Sequence, residues 1–494
     1  METTKNLHPS ILRIALTLCA IACILTASML AQAPDRSKPP ELGPPQAMKL
    51  PAIQHFKLSN GIPVVLMEKH ELPLVQIELL IRAGSVLDPA AKLGRASLMA
   101  DLMEEGAGKR NSLELADAID YLGVSLGAFA SNHTSGATLH TPLSKLDSAL
   151  ALLADVALHP TFPSAELERK RKERLTMLLQ WHDQPGAINS VAFNSILFGK
   201  DHPYGRPSLG TEKSLRSLRV DDVKEFYSTY FHAGNATLVV VGDIVPSAMI
   251  AKLEQYFGSW KGGEAASMKL PESAQVKERR IYLVDKPAAA QSVIRIGRIG
   301  AARLTEDYHA LLVLNTILGG SFTSRLNQNL REQHGYSYGA GSTFDFRPSP
   351  GAFYASASVQ TDVTDKALTE FMKELTNIME PVTDEELTRA KNYLALGYPA
   401  DFQSIASIAG QLAELVVYNL PDDTFNAFTP KILAVTKDDV LRVAKKYLDP
   451  QNVDIVVVGD ANKIKKGIET LKLAPIEDRS IVNILGKPPV ISDK

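Results

Sequence analysis

Residues 220–243 read VDDVKEFYSTYFHAGNATLVVVGD, and residues 437–460 read KDDVLRVAKKYLDPQNVDIVVVGD. The two align without a gap: Asp221 and Asp438, Tyr230 and Tyr447, and Asp243 and Asp460 each stand 217 residues apart. In both copies an aspartate, Asp221 or Asp438, is placed to cap an amphipathic helix, and a turn follows with Asn235 or Asn452. A run apolar at every position, 238–241 or 455–458, then closes the unit as a strand. Such a strand is buried on both faces or central in its sheet. The chain is one unit built twice.

The elements before each copy repeat as well. Residues 144–157 form an apolar-periodic helix, followed by His159-Pro160 and a second helix from Ser164; residues 363–379 are followed by Pro381 and a second helix from Thr383. The first half opens with FKLSNGIPVVL, residues 56–66, where Asn60-Gly61 is a tight-turn signal, and a strand over 75–82 comes next. The second half opens with RIYLV at 280–284 and continues as a strand at 292–296. Long helices mixed with strands, without regular β-α-β alternation, predict an α+β fold: two homologous domains, each a mainly antiparallel sheet with helices on one face. We divide the chain into domains at 51–261 and 279–480, a Gly-, Ala-, Ser- and Lys-rich linker at 262–278, and a tail at 481–494.

Of 494 residues, 45% are hydrophobic and 22% charged, and the net charge is −2, so there is material for two cores and no electrostatic case for nucleic acid. Residues 1–33 read as an export signal: Lys5 and Arg13 precede an apolar run, and Ala31-Gln32-Ala33 offers small residues for cleavage. Pro34 is a poor neighbour for a cut, which leaves open an uncleaved membrane anchor at the short end of spanning length. The expected location is periplasmic or extracellular. Both cysteines, Cys19 and Cys23, fall in the apolar run, so a processed chain has no disulfide. Residues 34–50 and Pro51 together hold six prolines and read as an extended linker.

Residues 83–109, AGSVLDPAAKLGRASLMADLMEEGAGK, predict a helix capped by Asp88, opened by Pro89 and ended by Gly106 and Gly108. This stretch resembles the metal-binding helix of the pitrilysin/insulinase family of zinc peptidases, where a turn AGS, an acid near a proline and G-L-A-H-F-L-E-H-M-L-F-K-G-T occur in that order. Gly94, Ala96, Leu102, Met103 and Gly106 stand at family positions or are close substitutes, but the two zinc histidines fall on Ser97 and Asp101, and the general-base glutamate falls on Ala100. The family's third ligand, a glutamate, should fall near residues 177–179, where no acid stands. Independently of the family, a helical zinc site needs paired imidazoles three or four residues apart, and the closest pair here, His133 and His140, are seven apart. The resemblance extends over nearly all of the chain after the signal, including DHPYGRP at 201–207.

The second half carries LGGSFTSRL at 318–326 and LREQHGYSY at 330–338, similar to the family pattern GG-x-x-x-S-R-L … L-R-E-x-x-G-L-x-Y. Where the family pairs an arginine with a tyrosine, this chain has Arg331 and Tyr338. A guanidinium and a phenol can hold a peptide carbonyl and stabilise an oxyanion, but neither activates water alone. Gly319 and Gly320 are expected to end a helix and admit a close backbone, such as that of a bound peptide. Residues 166–174, ELERKRKER, read as a solvated helix face, and Glu104 and Glu105 as ordinary surface acids.

The resemblance implies half of a clamshell without a metal of its own: a non-catalytic subunit whose sister chain holds zinc and whose ligand is a peptide or unfolded protein. A peptide-binding or structural module without a part in hydrolysis is the alternative reading. An autonomous metallopeptidase would need three converging ligands that the sequence does not supply.

Overall fold

The computed structural model describes residues 43–45 and 48–491. The export signal, both cysteines and most of the proline-rich linker lie outside the described residues. Two six-stranded sheets carry the fold. The first is built from β1 (Gln54–Lys57), β2 (Pro63–Glu68), β3 (Leu74–Ile81), β4 (Ser125–Ala130), β5 (Ser135–Pro142) and β6 (Ala236–Gly242), in the order β1-β2-β6-β3-β5-β4. The second uses β7 (Arg280–Asp285), β8 (Gln291–Ile299), β9 (Ser337–Phe344), β10 (Ala352–Gln360), β11 (Asp454–Gly459) and β12 (Ile476–Arg479), in the order β9-β10-β8-β11-β7-β12. Strands β2 and β7, β3 and β8, and β5 and β10 all begin 217 residues apart, so the displacement read from one helix–strand unit runs through each domain. Most neighbouring strands are antiparallel; β2 with β6, and β7 with β11 and β12, are parallel.

The local signals act through nameable bonds. Gly61 sits at φ +97° in the turn between β1 and β2, and the Asn60 side chain donates to the carbonyls of Phe257 and Trp260. The fully apolar runs became β6 and β11, buried at every position and inserted between two neighbours. Two expected caps are corrected. The caps of the Val220–Tyr230 and Lys437–Tyr447 helices are Arg219 and Thr436, and the second aspartate of each pair reaches back to them: Asp222 accepts from the Arg219 N–H and Asp439 from the Thr436 N–H, leaving Asp221 and Asp438 in the first turn.

Each sheet carries its own domain's helices on one face, and the opposite face is covered by a helix lent by the other half. Helix Pro185–Phe198 leaves the first domain and lays Ile188, Ala192, Phe193 and Leu197 against Val284, Val456 and Val458 of the second sheet. Helix Ile405–Tyr418 does the converse, setting Ile405, Ile408, Leu412 and Leu415 against Val65, Met67, Leu80, Val239 and Val241. Asn189, fully buried, donates to the carbonyls of Val293 at 2.9 Å and Val456 at 3.0 Å, which fixes the lent helix to the sheet backbone. At Gly297 a Cβ would collide with the Phe353 carbonyl of the neighbouring strand and lie 2.8 Å from the Phe193 ring. Residues near either end of the described stretch cross too: Met48, Leu50 and Ile53 pack on the second domain's core, while Val490 accepts a hydrogen bond from Arg216.

His133 marks the seam. Its Nε2 and the Tyr204 hydroxyl are 2.8 Å apart, and the Arg347 guanidinium lies 4.3 Å over the Tyr204 ring. Burial, with help from Arg347 and against Asp345, pushes His133 from 6.5 down to about 4. The folded protein thus keeps a neutral imidazole that the unfolded chain protonates once the pH drops below its ordinary value. Stability from this group is complete above 6.5 and is lost as the pH falls toward 4; urea titrations across that range should show the loss, and His133→Gln should flatten it. At the lent helix, Phe193→Ala should cost ~3–5 kcal/mol by urea unfolding.

Candidate functional site

The helix that matches the metal-binding pattern runs Arg95–Met103, later than Asp88-Pro89 suggested, because residues 90–92 first form a 3₁₀ turn. Asp88 still serves the helix start from a distance: its carboxylate accepts from the N–H groups of Gly94 and Ala96. Burial pushes that carboxyl up to about 7 against those bonds and the neighbouring Arg95. Gly94 takes φ +87°, and a side chain there would strike the Leu209 carbonyl at 2.5 Å.

Ser97, Ala100 and Asp101 lie on this helix as the sequence placed them, and the side chain between Ser97 and Asp101 is Arg174. It reaches in from the Ser164–Trp181 helix. Its Nη2 and Nε donate to Asp101 Oδ2 at 2.7 and 3.1 Å, and its Nη1 donates to Ser97 Oγ at 2.8 Å. Ser97 in turn donates to the Ser208 carbonyl. Arg174 is 4% exposed, and Ala100 is buried beside it without a polar atom to offer. A fixed cation therefore spans the two positions where the family's histidines fall.

The reading of residues 166–174 as a solvated face is corrected. Arg171 and Arg174 are both buried, and Arg171 donates to the carbonyls of Leu215 and Leu218. Arg169 and Lys170 bind Glu105 at 2.6 and 2.9 Å, with the Ser112 hydroxyl as a third donor. Burial opposes ionisation of Glu105, yet these donors outweigh it and hold the carboxyl at about 2. Glu104 is no ordinary surface acid either: it accepts from the Ala128 N–H on edge strand β4, and burial raises its pKa. Beyond Arg174, residues 177–179 carry Met177 and Leu179 outward and Leu178 inward.

This donor set does not fit a divalent metal ion. Zinc asks for three imidazole, thiolate or carboxylate donors turned to one point. Here one carboxylate and one hydroxyl are committed to a guanidinium whose charge would repel the ion. Among the described residues no group of three His, Cys, Asp or Glu side chains could hold a metal ion. His133 bonds Tyr204, and His140 bonds Gln76 at 3.0 Å, so the two imidazoles are engaged separately.

Arg331 lies in a π-helical turn, Gln328–Gln333, and Tyr338 in β9 where the register with β10 shifts between Ser337 and Ala340. Such turns and bulges re-aim side chains and recur at functional sites. Tyr338 is 94% exposed, and among the described residues no side chain bonds its hydroxyl. Arg331 meets Glu332 at 3.1 Å and stacks on Phe322 with Cζ 4.3 Å from the ring centre. Gly319 ends the Tyr308–Leu318 helix as expected, but the backbone it admits is the chain's own: a Cβ there would collide with the backbone nitrogen of Ser342.

Fold and site together define a peptidase-type scaffold in which the metal helix survives with its ligand positions rewired. Residues 63–207 match the family model described as insulinase (peptidase family M16), and residues 217–394 match that of the peptidase M16 inactive domain. The chain belongs to the M16 (insulinase) family. It is 25% identical over 406 residues to an uncharacterized zinc protease of Rickettsia felis, a match covering 81% of this chain and 96% of that one. To the non-peptidase homolog YmxG of Helicobacter pylori it is 23% identical over 431 residues, covering 86% and 98%. The crystal structure of a peptidase M16 inactive domain from Pseudomonas fluorescens superposes with a TM-score of 0.77 at 28% identity, covering 82% of this chain and 98% of that one.

The signal that could have found Arg174 is a basic residue one turn before the expected third ligand, opposite an aspartate at a position where the family pattern has a histidine. Arg174→Ala should leave Asp101 without its partner and lower stability by ~1–3 kcal/mol, below the cost at a fully buried pair because the Asp101 side chain is 41% exposed. Thermal or urea unfolding measures it.

Proposed function

We propose that the chain is the non-catalytic subunit of a two-chain zinc peptidase. A sister chain would carry the H-x-x-E-H helix and its metal; this chain forms half of the clamshell and presents Arg331 and Tyr338 to the bound peptide. The observation that carries this reading is the contrast between two sites. The metal helix is closed by Arg174 on Ser97 and Asp101, whereas Tyr338 stands in the open. Hydrogen bonds from a guanidinium and a phenol to a carbonyl strengthen as its oxygen gains charge, which suits an electrophilic role beside a water activated elsewhere. A structural neighbour described as an inactive domain and a relative described as a non-peptidase homolog support the non-catalytic part of this reading.

The charged-then-apolar N-terminal pattern supports export to the periplasm or beyond, with residues 1–33 either removed or kept as an anchor. The partner is then another exported chain, and the ligand an extended peptide or unfolded protein.

Purified alone, the chain should neither retain stoichiometric zinc on dialysis nor cleave casein. Mixed with an exported sister from the same organism that contains H-x-x-E-H, it should raise casein cleavage. In the reconstituted pair, Arg331→Gln and Tyr338→Phe should each lower turnover by ~10²-fold, the scale of losing one oxyanion donor. Chelator-sensitive cleavage by this chain alone would sink the reading. Unchanged turnover in both variants would instead make the chain a binding or structural module.

A further inference from the structure

The loop before Arg331 holds a large apolar side chain that core packing does not explain. Phe322 is 63% exposed, so little of its surface leaves water. Its ring lies against the Arg331 guanidinium, 4.3 Å from Cζ. The Nη1 of Arg331 is shut off from solvent and meets Glu332 at 3.1 Å without the alignment of a hydrogen bond, so the aromatic face is the second restraint on the cation beside that carboxylate.

The loop is itself tied to the strand that carries Tyr338. Asn327, 4% exposed, donates from Nδ2 to the Phe322 carbonyl at 2.7 Å and accepts at Oδ1 from the Ala340 N–H at 3.3 Å. One amide thus joins the backbone under Phe322 to β9 two residues beyond Tyr338. Gly319, packed against Ser342, joins loop and strand a second time.

We infer that Phe322 is a positioning residue for the peptide clamp: its ring is a shelf that holds the Arg331 guanidinium in the orientation presented to a peptide carbonyl, and Asn327 keeps that shelf in register with Tyr338. The inference rests on the reading that Arg331 engages peptide. A free arginine side chain samples many rotamers and gives up that freedom on binding, whereas a stacked one has already done so. The conjugated ring matters, since an aliphatic side chain offers no negative π-face to the cation.

The test uses the full chain and fluorescein-labelled β-casein as an unfolded polypeptide probe. Phe322→Leu should weaken binding about three- to tenfold, Phe322→Trp should restore it, and Phe322→Leu combined with Arg331→Gln should bind no worse than Arg331→Gln alone, because one contact cannot be lost twice. A second readout needs no ligand. In Phe322→Trp, emission over the background of Trp181 and Trp260 should change when Arg331→Gln is added. Binding weakened by Arg331→Gln but untouched by Phe322→Leu, or identical emission from the Phe322→Trp variant with and without Arg331, overturns the shelf and leaves the clamp standing. Binding indifferent to Arg331→Gln overturns the clamp, and the shelf's role with it.

Discussion

The structure depends on a mutual loan. A six-stranded sheet with apolar residues on both faces cannot be covered by the helices of one face, and each half of this chain solves the problem with a helix from the other. Phe193 and its neighbours close the second sheet; Ile405, Ile408 and Leu412 close the first. Cores assembled this way draw on residues more than a hundred positions apart, as in the bond from Asn189 to Val456. Because neither half buries its own sheet, each core is completed by the other half.

Upon that frame sit two sites with opposite histories. At the helix Arg95–Met103, the positions that align with the family's metal ligands are bridged by a side-chain cation, Arg174. A guanidinium is planar, always protonated and able to bond a carboxylate and a hydroxyl at once, which suits it to span Ser97 and Asp101. At the π-helical turn and bulge, by contrast, irregular backbone is kept although it offers fewer ladder bonds, and it delivers Tyr338 into solvent and Arg331 onto an aromatic ring. That irregularity is what the proposed clamp draws on, since it leaves the two side chains outside the regular ladder.

Much of this was written in the chain. The register of the duplication came from three pairs of residues, and the same displacement sets where β2, β3 and β5 recur; the vanished metal ligands were visible as Ser97, Ala100 and Asp101. What escaped shares one physical cause: patterns along a sequence report local periodicity, not destination. The apolar stretch of the Pro185–Phe198 helix looks the same whether it covers its own sheet or another. Arg171 and Arg174 read as solvated because charge is taken for exposure, although a buried arginine is stable once its donors find carbonyls or a carboxylate. The Asp88 and Asp221 caps were misplaced by residues whose side chains could reach the helix start from more than one position. Glu104 and Glu105 looked like surface acids because their partners, Ala128 on an edge strand and the bases at 169 and 170, are set by folding.

Replacing an ion by a tethered side chain changes how the scaffold answers to its surroundings. A bound metal dissociates, exchanges with competitors and must be delivered; Arg174 is delivered by translation itself and cannot leave. The charge that bridges Ser97 and Asp101 is therefore covalently part of the chain, and the packing of this helix does not wait on an exchangeable ion between those two side chains.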